Sequence, residues 1–523
     1  MNGKGRIARA AGVISLATLF SRILGYLKDM ILARYFGATG LSDTFFVAFR
    51  IPNLLRELFA EGSMSSAFIP VLTEYQTRHG DEEARRLVRI TFTFILLLVG
   101  LLCLAGIIFT PAIVAVIAPG FLGAPEKFSL TVSLTRTMFP FLLFMSLAAL
   151  VMGALNTRRV FFIPALAPAF LNITTIMVVL LLVPLLKQPI LSVALGVTLG
   201  GFVQFIFQLP SFFRKDFDLR FDTAFSHPGL RKMSMLILPA TMGLAVAQIN
   251  IFISTILASY LPQGSITYLY YSMRLIQFPV GIFGVAMGMA ALPALSEHAV
   301  KGDIEKLRED FSFALRLLFF VTIPSMTGLI AFREPIVNTL FQRGAFDYSA
   351  TTGTAEALLF YSLGIWAIVG VRVVTATFYS LQDTRTPVKI ALTAMLTNVA
   401  MSLLLMGPLK HSGLAFANAI ASGVNFMLLF YFLRRRLGRI DTKRILRSLL
   451  KTSGASFVMG ASGWFILQGR LWQSSGRLPE KTLYLTVTLA FCAFIFFVIS
   501  FLVKSDEMDY IYRTFKNKFA SRF

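Results

Sequence analysis

Long apolar runs separated by short charged stretches dominate this chain. A bilayer-crossing helix needs about 20 mostly apolar residues. Runs of that kind stand near 10–35, 41–59 continuing to about 75, 88–117, 129–152, 161–184, 190–212, 231–259, 267–296, 311–331, 354–379, 387–407, 412–433, 446–468 and 482–503. The pattern predicts an all-α polytopic membrane protein of about fourteen transmembrane helices. The first run follows Lys4, Arg6 and Arg9, which is the layout of a secretory signal. It is nevertheless long, carries Arg22 and Lys28, and lacks a clear small-residue cleavage site. It reads as an uncleaved first helix.

Charges between the runs alternate. Arg78, Arg85, Arg86 and Arg89, then Arg158 and Arg159, then Arg214, Lys215, Arg231 and Lys232, then Arg385 and Lys389, the stretch Arg434 to Arg447, and the tail after Lys504 fall on one side. The loops near 120, 186, 262 and 409 are poor in Lys and Arg. The positive-inside rule then places both termini in the cytoplasm, and an even number of spans agrees.

Composition narrows the class. Of 523 residues, 56% are hydrophobic and 14% charged, against roughly 25% charged in soluble domains. Disordered, collagen-like and disulfide-scaffold classes are excluded. Cys103 and Cys492 lie in apolar runs and read as small buried hydrophobes. The net charge of +23 would suggest nucleic acid in a soluble protein. In a membrane protein, orienting loops and a polyanionic cargo explain it first.

Two halves of the chain resemble each other at an offset of roughly 220–227 residues. Ile69-Pro70-Val71-Leu72-Thr73-Glu74 recurs as Leu292-Pro293-Ala294-Leu295-Ser296-Glu297, and each copy precedes a Gly-Asp pair, Gly80-Asp81 and Gly302-Asp303. Thr157-Arg158 leads to Asn172 as Thr384-Arg385 leads to Asn398; Arg50 before Pro52 corresponds to Arg274 before Pro279. An even number of spans per copy makes the repeats parallel, an arrangement common among secondary transporters. The domains expected are a six-helix lobe at 1–212, an amphipathic linker at 213–230, a second six-helix lobe at 231–436, two further helices in 443–503, and a basic tail at 504–523.

Charges inside the membrane cost about 2.5–3.5 kcal/mol at mid-helix, so each one is a functional candidate. The first run carries Arg22, Lys28, Asp29 and Arg34, and the second Asp43, Arg50, Arg56, Glu57 and Glu61; Arg274 lies in the eighth, Glu356 and Arg372 in the tenth. Residues near helix ends can snorkel, as Arg34 and Glu356 are expected to do. Lys28 and Asp29 can neutralise each other, and Arg22 and Asp29, seven apart, share a helix face. Arg22, Lys28, Arg50, Arg56, Arg274 and Arg372 facing one aqueous cavity would be strongly electropositive, and Arg binds phosphate oxygens bidentately. A diphosphate headgroup is the natural cargo, a carboxylate-bearing one the next. Gly25, Gly37, Pro52, Gly62, Pro70, Pro279, Gly281, Gly284 and Gly288 interrupt these helices, as suits cavity lining, bending or close packing. No HExxH spacing, P-loop or dinucleotide fingerprint is present, so the chain does not read as an enzyme and ATP is not read as its energy source.

Ser21-Arg22-Ile23-Leu24-Gly25, Lys28-Asp29, Phe36-Gly37-Ala38, Asp43, Phe45 to Phe49, Pro52-Asn53-Leu54-Leu55-Arg56, Ala60-Glu61-Gly62 and Ala67-Phe68-Ile69-Pro70 resemble the MurJ (MviN) lipid II flippases of bacteria. Arg274 with Phe278-Pro279, Gly284-Val285-Ala286, Phe341 to Phe346 and Gln382 to Pro387 extend the likeness over nearly the whole chain. The resemblance implies the multidrug/oligosaccharidyl-lipid/polysaccharide exporter superfamily. Its fold is a V-shaped pair of lobes with helices 13 and 14 bordering a lipid-tail groove. The implied cargo is undecaprenyl-diphosphate-linked disaccharide-pentapeptide, carried to the outer leaflet of the bacterial inner membrane for peptidoglycan synthesis. Family-critical positions fall on Arg22, Lys28, Asp29, Asp43, Arg56 and Arg274. Lys28 stands where the family commonly has Arg, which keeps the charge and loses the fork. Implied partners are lipid II, membrane lipids and the cell-wall synthesis machinery, with no nucleic acid. No cofactor is implied; the drive is either the membrane potential or a monovalent cation. Asn250, Asn398 and Ser402 are the weak metal candidates, because their helices offer no carboxylate. The competing readings are export of a drug or another polyprenyl-linked glycan, and a non-transporting membrane scaffold. An arginine-rich cavity counts against cationic drugs.

Overall fold

A computed structural model describes residues 3–57, 63–438 and 440–520, and their side chains except at 3–11, 13, 63–66, 238–247, 285–286, 514–515 and 517–520. The expected Glu61 and Gly62 lie outside the described residues. No strand occurs among the described residues, and nine helical stretches there are long and apolar enough to cross a membrane. The chain divides after Gln263 into two units of similar extent.

The first unit holds α1 (Gly3–Phe36), α2 (Gly40–Arg56), α3 (Ser63–Arg78), α4 (Gly80–Ile108), α5 (Thr110–Ile117), α6 (Pro125–Thr157), α7 (Phe162–Leu182), α8 (Leu191–Phe213) and α9 (Pro228–Ser259). Helix α6 is its axis and packs on α2, α3, α4 and α8. Helices α7 and α8 also pack closely, and a small residue permits it: Gly200 abuts the Leu171 backbone, where a Cβ would stand 2.8 Å from the carbonyl oxygen. Helix α9, which the sequence repeat assigns to the second half, packs on α3, α4 and α5. Three ties span its length: Lys232 to Glu74, Gln248 to Glu57, and Ser259 Oγ to the Gly120 N–H. Gly120 must be glycine, because a Cβ there would lie 2.3 Å from the Ser259 carbonyl oxygen.

Within the stretch 213–230, read from the sequence as an amphipathic linker, residues 214–227 are irregular rather than helical. Phe217 is buried in the core formed by α3, α4, α6 and α8, while Phe221 and Phe225 lie on Phe92 and Phe94 of α4. Its acids face the basic α4: Asp218 meets Arg89 at 3.5 Å and Asp222 meets Arg86 at 3.6 Å. His227 Nε2 lies 3.0 Å from Glu83, and the Arg158 guanidinium lies over the Phe217 ring. The alternation of Phe and charge thus serves a pinned strap.

The second unit holds α10 (Ser265–Pro279), α11 (Val285–Lys301), α12 (Ile304–Ala331), α13 (Arg333–Phe341), α14 (Tyr348–Ser362), α15 (Ile365–Ser380), α16 (Arg385–Leu437), α17 (Thr442–Ile466), α18 (Leu478–Leu502) and α19 (Asp506–Ala520). A π-turn, Val280–Gly284, joins α10 to α11. Helix α16 is two helices meeting at Lys410, whose φ of 49° and ψ of −130° break the spiral two residues after Pro408. That break separates the expected spans 387–407 and 412–433. The repeat is visible in the order of elements: α2 to α5, of 17, 16, 29 and 8 residues, recur as α10 to α13, of 15, 17, 28 and 9. Pro70 lies inside α3 and Pro293 inside α11. Helix α12 packs on α17, and its Phe320 joins Phe332, Met459, Trp472 and Phe496 in an apolar core.

Candidate functional site

In the first unit the expected site residues line three successive stretches of α1 and α2. Arg22 is exposed and Asp29 fully buried, although their spacing puts them on one face. The reason is depth along the helix: the described side chains of α1 from Gly12 to Ile23 are mostly exposed, and the helix becomes buried towards Leu32, Ala33 and Phe36. Asn172 of α7 donates its amide to the Ser21 carbonyl at 3.3 Å and steadies the turn that bears Arg22. Lys28 folds its stem back so that Nζ lies 3.5 Å from Asp29 Oδ1. Buried charges persist when paired, and this pair explains how α1 carries both.

Asp43 sits in the first turn of α2, just past the Gly37–Thr39 turn, where the helix dipole favours a carboxylate. It is buried, and Lys127 from the first turn of α6 reaches to 3.6 Å. Lys127 Nζ also lies 4.2 Å above the Phe121 ring. Asp43 therefore faces a lysine that joins two helix starts.

The last turn of α2 carries a denser network. Arg56 Nε donates to Asn53 Oδ1 at 3.1 Å, Asn53 Nδ2 donates to Glu57 Oε1 at 2.9 Å, and Gln248 Nε2 of α9 donates to Glu57 Oε2 at 2.6 Å. Arg56 also lies 3.7 Å from Glu57. Amide groups thus carry the link between a cation and an anion at the end of α2. Arg50, nearly two turns earlier and after the run Phe45 to Phe49, is half-buried.

In the second unit Arg274 is half-buried on α10, between the buried Tyr271 and Leu275. Arg372 of α15 is exposed, but its stem runs along glycines: a Cβ on Gly284 would lie 3.3 Å from Arg372 Cδ, and one on Gly288 3.6 Å from Arg372 Cβ. The glycine interruptions thus make room for a guanidinium stem. Arg34 and Glu356 are exposed. Asn398 and Ser402, one turn apart on α16, are both buried, whereas Asn250 is half-buried in the first unit. Among the described residues no three of His, Cys, Asp and Glu gather closely enough to hold a metal ion.

Sequence reasoning did not single out Lys127 or Gln248. Each is a polar group in or beside an apolar run, and that is the signal it left. Their partners, Asp43 and Glu57, are remote in the chain.

The family model described as lipid II flippase MurJ matches residues 32–478. The chain belongs to the lipid II flippase MurJ family. It is 36% identical over 461 residues to the lipid II flippase MurJ of Burkholderia cenocepacia, covering 87% of this chain and 89% of that one. With the probable lipid II flippase MurJ of Vibrio cholerae it shares 35% over 489 residues, 92% and 93% of the two chains. A solved lipid II flippase MurJ in an inward closed conformation superposes with a TM-score of 0.79 at 26% identity, over 94% of this chain and 99% of that one. An inward-facing multidrug transporter of the MATE family, at 15% identity and TM-score 0.67, covers 80% and 96% and shares the fold. A MurJ-family chain with this helix content is an all-α, multi-pass membrane protein.

Proposed function

We propose that this chain moves lipid II between the leaflets of a bacterial cytoplasmic membrane, with both termini on the cytoplasmic side. The match to the MurJ family over residues 32–478 carries this reading. The matched stretch includes Asp43, Arg50, Arg56, Arg274 and Arg372, and Arg22, Lys28 and Asp29 directly precede it. Moving a lipid breaks no covalent bond in the cargo, so the protein's task is to lower the cost of taking a diphosphate through a low-dielectric layer.

The Arg56 network does this in the first unit. Asn53 and Gln248 hold Glu57, Glu57 lies beside Arg56, and a guanidinium is the group whose geometry matches phosphate oxygens. Lys28 offers a point charge oriented by Asp29, and Arg50, Arg274 and Arg372 are assigned the same anion-binding chemistry. Net positive charge in membrane helices responds to the membrane potential by about 2.3 kcal/mol per charge per 100 mV, which would supply a drive. The buried Asn398 and Ser402 would offer neutral oxygens to a monovalent cation. The positive-inside asymmetry supports cytoplasmic termini.

Depletion in the native cell tests the reading. Lipid II should accumulate in the inner leaflet, wild-type protein should clear it, and Arg56→Ala or Arg274→Ala at equal membrane levels should not. No accumulation on depletion would overturn the proposal; full rescue would remove those arginines from it.

A further inference from the structure

Where α17 begins, a cavity of about 330 Å3 is lined by Lys443, Arg444, Arg447, Ser448 and Lys451 of α17 and by Asp506 and Glu507 of α19. That volume falls within the range of about 300–1,000 Å3 usual for small-ligand pockets. Its two carboxylates are already engaged. Glu507 accepts from Arg316 at 2.6 Å and from Ser505 at 2.7 Å, and Asp506 accepts from Arg444 at 3.1 Å. Lys451 Nζ donates to the Lys504 carbonyl at 2.7 Å. Lys443 and Arg447 are exposed, and neither has a carboxylate or hydrogen-bond partner among the described residues. The cavity wall therefore carries a cationic excess that no group among the described residues answers.

The cations share their helix with apolar surface. Lys443, Arg447 and Lys451 recur every fourth residue and form one stripe. Beside it Leu446, Leu450 and Phe457 are exposed, as are Phe501 and Leu502 at the end of α18. In a membrane protein these side chains meet acyl chains, so the cavity sits where the hydrocarbon gives way to headgroups. An inorganic phosphate would answer the charges but leave the apolar stripe uncovered. An amphiphile with a phosphate at one end answers both.

We propose that this cavity holds the headgroup phosphate of one anionic phospholipid. Lys443 and Arg447 make the principal contacts, Arg444 and Lys451 complete the ring, and the acyl chains lie along Leu446, Leu450 and Phe457. The site belongs to α17 and α19 alone and is separate from the cations assigned to the transported lipid.

Native mass spectrometry of the intact full-length protein in detergent tests this, with titration of dioleoylphosphatidylglycerol or dioleoylphosphatidylcholine, alone and with excess inorganic phosphate. Wild-type protein should take up the anionic lipid in preference to the zwitterionic one and keep it against phosphate. Neutralising a basic residue near a membrane surface costs about fivefold in affinity, so Lys443→Gln with Arg447→Gln should lose roughly 25-fold. Arg447→Lys should retain most of the binding. Arg513→Gln with Lys516→Gln, further along α19, should leave it unchanged. Undiminished binding in the Lys443/Arg447 variant overturns the site, equal loss in the α19 control reduces it to general surface charge, and displacement by inorganic phosphate overturns the lipid assignment.

Discussion

The strap at 214–227 and the terminal helix α19 are both fastened by charge, one in a watery setting and the other in a dry one. The strap spreads its hold over Arg86, Arg89 and their neighbours, whose side chains are partly exposed. Helix α19 relies on Arg316 and Glu507, which are 6% and 1% exposed. Ion pairs in water are worth about 0–1 kcal/mol and fade with salt. A buried pair gains little over an apolar replacement, yet losing one partner strands a charge. The contrast separates a fastening spread over exposed pairs, tolerant of change, from one dominated by a buried pair whose breakage strands a charge.

The largest expected effect is therefore at Arg316. Arg316→Met should destabilise the second unit by about 3–5 kcal/mol, seen as a lower unfolding temperature in detergent. Arg316→Met with Glu507→Leu should recover most of that loss; no recovery would mean the pair is not the fastening. Next comes Arg56→Ala, which removes a charge-assisted contact to the transported diphosphate worth about 1.5–3 kcal/mol. Lipid II translocation in proteoliposomes should fall roughly 10- to 100-fold with the unfolding temperature little changed. Smaller again is Arg86→Gln, which should loosen the strap by no more than about 1 kcal/mol. Hydrogen exchange over 214–227 should show the change at low salt and lose it at high salt; a salt-insensitive change would move the strap into the dry class.

Acid gives the mildest test. A hydrogen bond from Arg158 holds the carboxyl of Asp81 below its ordinary value. Groups whose native pKa is lowered stabilise the fold above their unfolded pKa and cease to do so as pH falls through the native one. The tie of α4 to the end of α6 should hold from neutrality down to about pH 4 and weaken only below it. Exchange that rises near neutrality instead would contradict this.

The helical class, the repeat and the break near Lys410 were legible because period and proline act locally. Apolar runs marked every long helix, and Arg50 and Arg274 proved to lie at matching places in α2 and α10. Partners across the fold were not legible. Gln248 reaches Glu57, and Lys127 reaches Asp43, through packing that no spacing encodes. Exposure of Arg22 beside burial of Asp29 was equally hidden, since a helical wheel reports direction and not depth. The strap's Phe residues signalled an amphipathic segment, but the acids that meet Arg86 and Arg89 across the fold were not legible from it.

Helix α9 has a consequence for biogenesis. Lys232, Gln248 and Ser259 complete the wall of a unit whose other helices end at residue 213. A ribosome must therefore thread almost fifty further residues before the opening bundle can close. A nascent chain halted between these points would expose one flank of α3 to the insertion machinery, so the covalent order of the polypeptide delays maturation of the half that is made first.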